Sequence, residues 1–121
     1  MPSDTRPAES HVLFVGEAAK VFCADFQDYA PVANGETLSS PSVSVTNWTS
    51  SSTGLTVANA TVLTADFVEY DRGDVAVATV PSGMGVKFTV TPVSKGEYTV
   101  TVLVVCSGGS TEGKQVKFTV K

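Results

Sequence analysis

The sequence is poor in the side chains that most enzymes use for chemistry. Its 121 residues include one histidine, His11, two cysteines and one tryptophan. A Ser/His/Asp triad would have to use His11, which adjoins a polar N-terminal segment, where a single histidine is most often a plain surface residue. No G-x-S-x-G elbow occurs, and no basic residue adjoins Cys23 or Cys106 to activate a thiolate. These absences predict a protein that is not an enzyme and uses no cofactor.

Charge and long apolar runs are also scarce. Charged residues make up 17% of the chain, and the net charge is -4. An acidic surface repels phosphate backbones, and the eight basic residues are scattered, so we expect no nucleic-acid partner. No apolar run approaches the roughly 18 residues of a membrane-spanning helix. Residues 1–10 lack the basic start and apolar stretch of a signal peptide, so either a signal has been removed or the protein is not exported by that route. We expect no membrane partner.

The potential metal ligands do not form a recognisable site. Cys23, Cys106 and His11 would need an acidic fourth ligand to close a zinc site, and no C-x-x-C is present. Glu69 and Asp71 lie near Asp74 around one turn, where their oxygens could hold calcium. A solvated acidic turn explains the same cluster, so the sequence predicts no metal.

Serine, threonine and valine take the place of the missing charge, and this composition favours β-strands. Period-two alternation, bounded by turn residues, indicates seven to nine short strands. That spacing, with no long helix between strands, predicts an all-β sandwich or barrel. The one stretch that could instead form a short helical turn is residues 16–20. The strand candidates are His11–Val15, Lys20–Tyr29, Ser42–Trp48, Leu55–Val57, Thr61–Val68, Asp74–Val80, Val86–Thr91, Tyr98–Cys106 and Val116–Val120.

The chain divides into an arm and one domain. Residues 1–10 are polar and contain Pro2 and Pro7, which predicts an extended segment outside the core. This segment is either a disordered tail or an arm that docks on a neighbouring subunit. Residues 11–121 form the predicted sandwich, at a length that suits a single domain.

The segment from Gly96 to Val102 resembles strand F of immunoglobulin-like domains, which has the pattern G-x-Y-x-V/C-x-V. The resemblance implies that Tyr98 forms a "tyrosine corner", with its ring in the core and its hydroxyl bonded a few residues upstream. It places Val100 where antibody domains have their second cysteine, and Trp48 as the core tryptophan. Cys106 lies six residues beyond Val100, so the two cysteines are not that family's pair. They are either a disulfide or two thiols that act as small hydrophobic residues.

Residues 20–121 are similar, more loosely, to immunoglobulin-like domains of bacteriophage structural proteins and bacterial surface proteins. This resemblance implies a virion protein: a capsid decoration or cement subunit, or a tail or neck component. Such a protein would contact capsid or tail subunits and would be assembled in the host cytoplasm. It could also form homo-oligomers. The alternative that it implies is a bacterial extracellular adhesin or spacer module, which binds glycan or protein through loops such as Thr49–Gly54 and Glu69–Asp74. The resemblance rests on the segments Asn34–Thr37, Gly54–Val57, Gly85–Val90 with Phe88 in its alternation, Gly96–Val102 and Val116–Val120.

Two stretches are candidate contact surfaces. Alternation stops from Val102 to Cys106, so if Tyr98 and Val100 face the core, Leu103 and Val105 point outward. Such a patch is covered either by residues 11–19 of the same domain or by another subunit. The Arg72–Gly73–Asp74 tripeptide matches the sequence that integrins recognise, which makes Arg72 and Asp74 candidate loop contacts. Glycine at a turn has its own structural reason, so a plain turn is the alternative.

Overall fold

The computed structural model describes residues 9–71 and 75–121, and most of them lie in β-strands. Nine strands and one short helix occur in these ranges. The elements are β1 (Glu9–Leu13), β2 (Lys20–Asp25), α1 (Ala30–Ala33), β3 (Leu38–Trp48), β4 (Leu55–Val62), β5 (Phe67–Asp71), β6 (Val75–Val80), β7 (Gly85–Pro92), β8 (Gly96–Cys106) and β9 (Thr111–Val120).

Two sheets form a sandwich with the strand order of an immunoglobulin-like domain. Sheet A has the order β1-β9-β8-β3, and sheet B has the order β2-β7-β4. The order β2-β7-β4 corresponds to B-E-D of the immunoglobulin fold, and β9-β8-β3 corresponds to G-F-C. The remaining strands, β5 and β6, form a hairpin inserted between β4 and β7. The prediction of an all-β sandwich is therefore confirmed.

Strand β1 joins sheet A in parallel with the last strand of the chain. The pairing runs from Glu9 opposite Val116 to Leu13 opposite Val120. Backbone hydrogen bonds continue it, from Lys121 N to Leu13 O at 2.9 Å and from Val15 N to Lys121 O at 3.1 Å. All the other pairings between described strands are antiparallel.

The segment predicted as one strand over Lys20–Tyr29 ends earlier and leads into a helix. The Asp25 carboxylate accepts a hydrogen bond from the Gln27 amide at 2.9 Å, and this local turn competes with strand pairing. The first turn of α1 contains a proline, a position where the missing N–H costs nothing. No helix in the described part of the chain is long and apolar enough to span a membrane.

Two predicted strands in the middle of the chain are divided differently in the structure. Strand β4 is continuous from Leu55 to Val62, because Asn59 adopts a positive φ of 60° at a bulge and lets the strand resume. The predicted strand over Thr61–Val68 is interrupted after Val62, and β5 starts at Phe67. The period-two alternation continues across the turn between Val62 and Phe67, so it does not reveal the break between the two strands.

The main core lies between sheets A and B. Tyr98, Val100 and Phe88 are all buried there, as are the inward positions of β7, β8 and β9. A second, smaller cluster consists of Cys23, Leu63 and Val80, with Phe67 packed against it.

Trp48 does not belong to the core, and the prediction that it is the core tryptophan is wrong. Its side chain is 44% exposed. Trp48 is exposed because it is the last residue of β3, an edge strand of sheet A, where burial is incomplete. The register irregularity between Val45 and Asn47 leaves it opposite the buried Tyr98.

Candidate binding surface

Tyr98 closes the turn between β7 and β8 from inside the core. Its ring is buried, and its hydroxyl donates a 2.8 Å hydrogen bond to the carbonyl of Ser94. Gly54 packs on this hydroxyl so closely that a Cβ at position 54 would overlap it. The Gly54 carbonyl accepts hydrogen bonds from the amides of Val93 and Ser94, both at 2.9 Å. The loop before β4 is thereby held against the turn before β8.

The two cysteines are buried thiols that are not joined in a disulfide and lie in different clusters. Cys106 belongs to the main core, and Cys23 to the smaller cluster with Leu63 and Val80. Burial raises the pKa of the Cys106 thiol, an effect that a hydrogen bond with the Ser110 side chain partly opposes. Of the two alternatives left open by the sequence, the structure has the thiols packed as small hydrophobic side chains.

His11 packs between aromatic rings of both sheets. Its ring centroid lies 4.7 Å from that of Phe22 in β2 and 5.4 Å from that of Phe118 in β9. Phe22 and Phe118 also meet edge to face at 5.0 Å. The single histidine thus fastens β1 to the core and serves a packing role.

Leu103 and Val105 face away from the core of sheet A. Leu103 is 41% exposed, and Val105 is half-buried. Leu103 lies over Gly113 of β9, where an added Cβ would come within 2.9 Å of Leu103 Cδ2. Strand β1 extends the same sheet at its edge and leaves this patch uncovered.

A second apolar surface follows the outer edge of β1. Val12 is 54% exposed and Phe14 is 55% exposed, and Val15 beside them is also exposed. Among the described strands, β1 pairs only with β9, so its other edge has no neighbour. The edge therefore presents both backbone hydrogen-bonding groups and apolar side chains.

A shallow polar pocket occupies the outer face of sheet A. Its volume is about 280 Å³. Cross-strand pairing aligns its floor: Lys117 lies opposite Thr99, Thr99 lies opposite Asn47, and Thr119 lies opposite Glu97. The lining also includes Ser10, Trp48, Thr49, Tyr98 and Phe118. Sequence analysis missed this pocket because its residues are separated along the chain and become neighbours only through sheet pairing.

Only part of the predicted acidic turn lies within the described residues. Arg72 and Asp74, with Gly73 between them, lie outside the described residues, so their predicted loop contacts stay predictions. Glu69 and Asp71 belong to β5. Within residues 9–71 and 75–121, no group of three or more histidine, cysteine or acidic residues is arranged to hold a metal.

Comparison with known proteins gives no relative from which a function could be transferred. No family model, no curated protein and no solved structure matches the chain. The function must therefore be argued from the surfaces described above.

Proposed function

We propose that this protein is a non-enzymatic structural component of a phage virion, either a capsid decoration or cement subunit or a part of the tail or neck. It would stabilise the particle through contacts with capsid or tail subunits. The observation that carries the proposal is the edge of β1, which pairs with no other described strand, with Val12 exposed on it and Phe14 and Val15 exposed just beyond its end. An apolar strand edge is a surface to which another chain can add a strand.

The edge of β1 contains neither a proline nor a bulge, two features that block such pairing. Strand β3 contains Pro41 and two register irregularities, and β4 has a bulge at Asn59. Proline and bulges prevent a regular ladder from forming with another strand. In contrast, β1 keeps one regular register over Glu9–Leu13 and contains neither proline nor lysine. Of these three edges, β1 is the best suited to accept a partner.

The outer face of sheet A supplies a second contact area. Leu103 and Val105 form an apolar spot on a face that is otherwise rich in serine and threonine. A flat sheet with an apolar centre and a hydroxyl-rich surround has the composition of a protein contact surface. The packing role of His11 supports a non-enzymatic protein, because the one histidine of the chain is engaged with Phe22 and Phe118.

The phage assignment rests on the sequence patterns over residues 20–121, which are similar to those of virion immunoglobulin-like domains. It can be tested directly by peptide mass spectrometry on purified phage particles from the strain that encodes the chain. Stoichiometric recovery of the protein in intact particles is the expected result. Recovery only from cell envelopes or culture medium would contradict it and favour a bacterial extracellular adhesin or spacer module.

The assembly surface is tested by light scattering during size-exclusion chromatography. We expect the wild-type protein to form oligomers at concentrations up to about 1 mM, the range of weak contacts. Val12→Lys places a charge on the β1 edge and should yield monomers. Val93→Lys changes an equally exposed valine after β7 and serves as the matched control. A wild-type protein that stays monomeric, or equal effects of both variants, would overturn the role of this edge.

A further inference from the structure

We propose that Asn34 is a self-modifying site, at which the side-chain amide is lost and an aspartyl or isoaspartyl residue is formed. The nucleophile is the backbone nitrogen of Gly35, and the short helix α1 controls the rate. The inference is independent of the assembly role, which uses the β1 edge and the outer face of sheet A. It rests on the backbone geometry at the end of α1 and on a comparison of the three asparagines of the chain.

Gly35 is required by the backbone conformation at the end of α1. Its φ is 91°, in the left-handed region that other residues rarely adopt. Its amide donates a 3.0 Å hydrogen bond to the carbonyl of Val32, as is usual for a glycine that follows a helix. Glycine has no side chain to shield its backbone nitrogen. The residue that ends α1 well is therefore also the one that leaves a preceding asparagine most open to attack.

Asn34 is exposed, and its side chain is not held in place. The side-chain amide makes no hydrogen bond with a described residue. In contrast, the side-chain oxygen of Asn47 accepts a 2.9 Å hydrogen bond from the Trp48 amide. The side-chain nitrogen of Asn59 donates a 3.4 Å hydrogen bond to the Thr89 hydroxyl. Neither of these two asparagines is followed by glycine, so Asn34 differs from both in sequence and in structure.

The reaction uses only the chain and water. The Gly35 nitrogen gives up its proton and forms a bond to Cγ of Asn34, while the bond from Cγ to Nδ2 breaks and ammonia leaves with that proton. The product is a five-membered succinimide ring, which water then opens at one of its two carbonyl groups. Opening at Cγ gives aspartate, and opening at the main-chain carbonyl gives isoaspartate, in which the backbone runs through the side chain. Either product adds one negative charge.

Helix α1 holds these groups away from the reactive geometry. Asn34 has a ψ of 8°, and the ring closes only after rotation about this bond brings the Gly35 nitrogen to the side chain. The rotation breaks the hydrogen bond from Gly35 to Val32, and the 3.0 Å bond from the Glu36 amide to the Pro31 carbonyl restrains the same turn. Because α1 has four residues and no side-chain hydrogen bond at its N-cap, it opens more easily than the whole domain.

The modification changes the connection between α1 and β3. The Glu36 carboxylate, two residues beyond Asn34, accepts a 2.6 Å hydrogen bond from the Gly108 amide. Isoaspartate lengthens the backbone by one carbon atom just before Glu36, and the new carboxylate adds a like charge near it. Both effects should loosen this contact, so amide hydrogen exchange at Gly108 should accelerate in the modified protein.

Peptide mass spectrometry tests the site after incubation of the intact protein in mildly alkaline buffer, with fragmentation that separates aspartate from isoaspartate. We expect both products at Asn34, whereas Asn47 and Asn59 should stay intact. In urea, where α1 is absent, Asn34 should react about tenfold faster. An intact Asn34 after prolonged incubation of the folded protein, or a faster reaction at Asn47 or Asn59, would overturn the proposed site. Equal rates in the folded and unfolded protein would overturn the role of α1.

Variants test whether α1 controls the rate. Pro31→Ala removes the ring that fixes the first turn of α1, and it should speed the reaction about two- to fivefold. Pro41→Ala is the matched control, because Pro41 is also half-buried but lies in β3, and it should leave the rate unchanged. Asn34→Ser removes the reactive amide and should abolish both the modification and the change at Gly108. Equal acceleration by the two proline variants would show that α1 does not control the reaction.

Discussion

The hydroxyl of Tyr98 donates a 2.8 Å hydrogen bond to the carbonyl of Ser94, four residues upstream, and so ties the turn before β8 to the core. Tyr98→Phe keeps the buried ring and removes only this bond. We expect a loss of about 1–2 kcal/mol in the free energy of unfolding, because the carbonyl loses its partner. Urea denaturation measures this loss in the free energy of unfolding. Ser52→Ala, which removes an exposed hydroxyl nearby, should stay within about 0.5 kcal/mol of wild type. Equal midpoints for both variants would contradict this role.

Gly54 is required because it lies against the same hydroxyl. In Gly54→Ala the new Cβ would overlap the Tyr98 hydroxyl and come 2.8 Å from Tyr98 Cζ. We expect a cost of about 1–3 kcal/mol from overpacking. Combining Gly54→Ala with Tyr98→Phe removes the worst overlap, so the double variant should be more stable than the sum of the single effects predicts. Strict additivity in the urea midpoints would show that the two positions do not interact.

The Cys106 thiol should make stability depend on pH in the alkaline range. Burial raises the pKa of this thiol in the folded protein, whereas the same thiol in the unfolded chain ionises at about pH 8.5. The folded state therefore binds the proton more tightly, and stability falls as pH rises from that value toward the higher folded pKa. Urea midpoints measured from neutral to alkaline pH should decline more steeply for wild type than for Cys106→Ala. Parallel slopes for the two proteins would rule out this linkage.

His11 should control the attachment of β1. His11→Ala removes a ring packed on Phe22 and Phe118 and should cost about 1–2 kcal/mol. Amide hydrogen exchange should accelerate at Val15 and Lys121, whose backbone bonds continue the β1–β9 ladder. Val12→Ala, one residue further on and exposed, is the matched control and should leave protection unchanged. Unchanged exchange in His11→Ala would show that backbone pairing alone holds the strand.

The sequence is most informative where alternation is regular and turns are marked. The strands around Phe88, Tyr98 and Phe118 were predicted because each alternates apolar and polar residues between glycine-containing turns. Their inward residues are the buried ones in the structure. Local pattern and tertiary burial agree there, since one face of each strand packs against the opposite sheet.

Prediction fails where a local contact or the end of a strand decides the outcome. The Asp25 side chain ends β2, and Trp48 is exposed because it is the last residue of an edge strand. Neither effect is visible in hydropathy, because both depend on individual backbone geometry. The polar pocket was missed for a different reason. Its residues are separated along the chain and become neighbours only through the pairing of β3, β8 and β9.

The parallel pairing of β1 with β9 has a mechanical consequence. A pull on the two ends of the chain draws β1 and β9 in opposite directions along their common axis. The hydrogen bonds from Glu9 to Leu13 then carry the load together, in shear, and cannot open one after another. Strands β1 and β9 thus resist separation together under a force applied along their common axis.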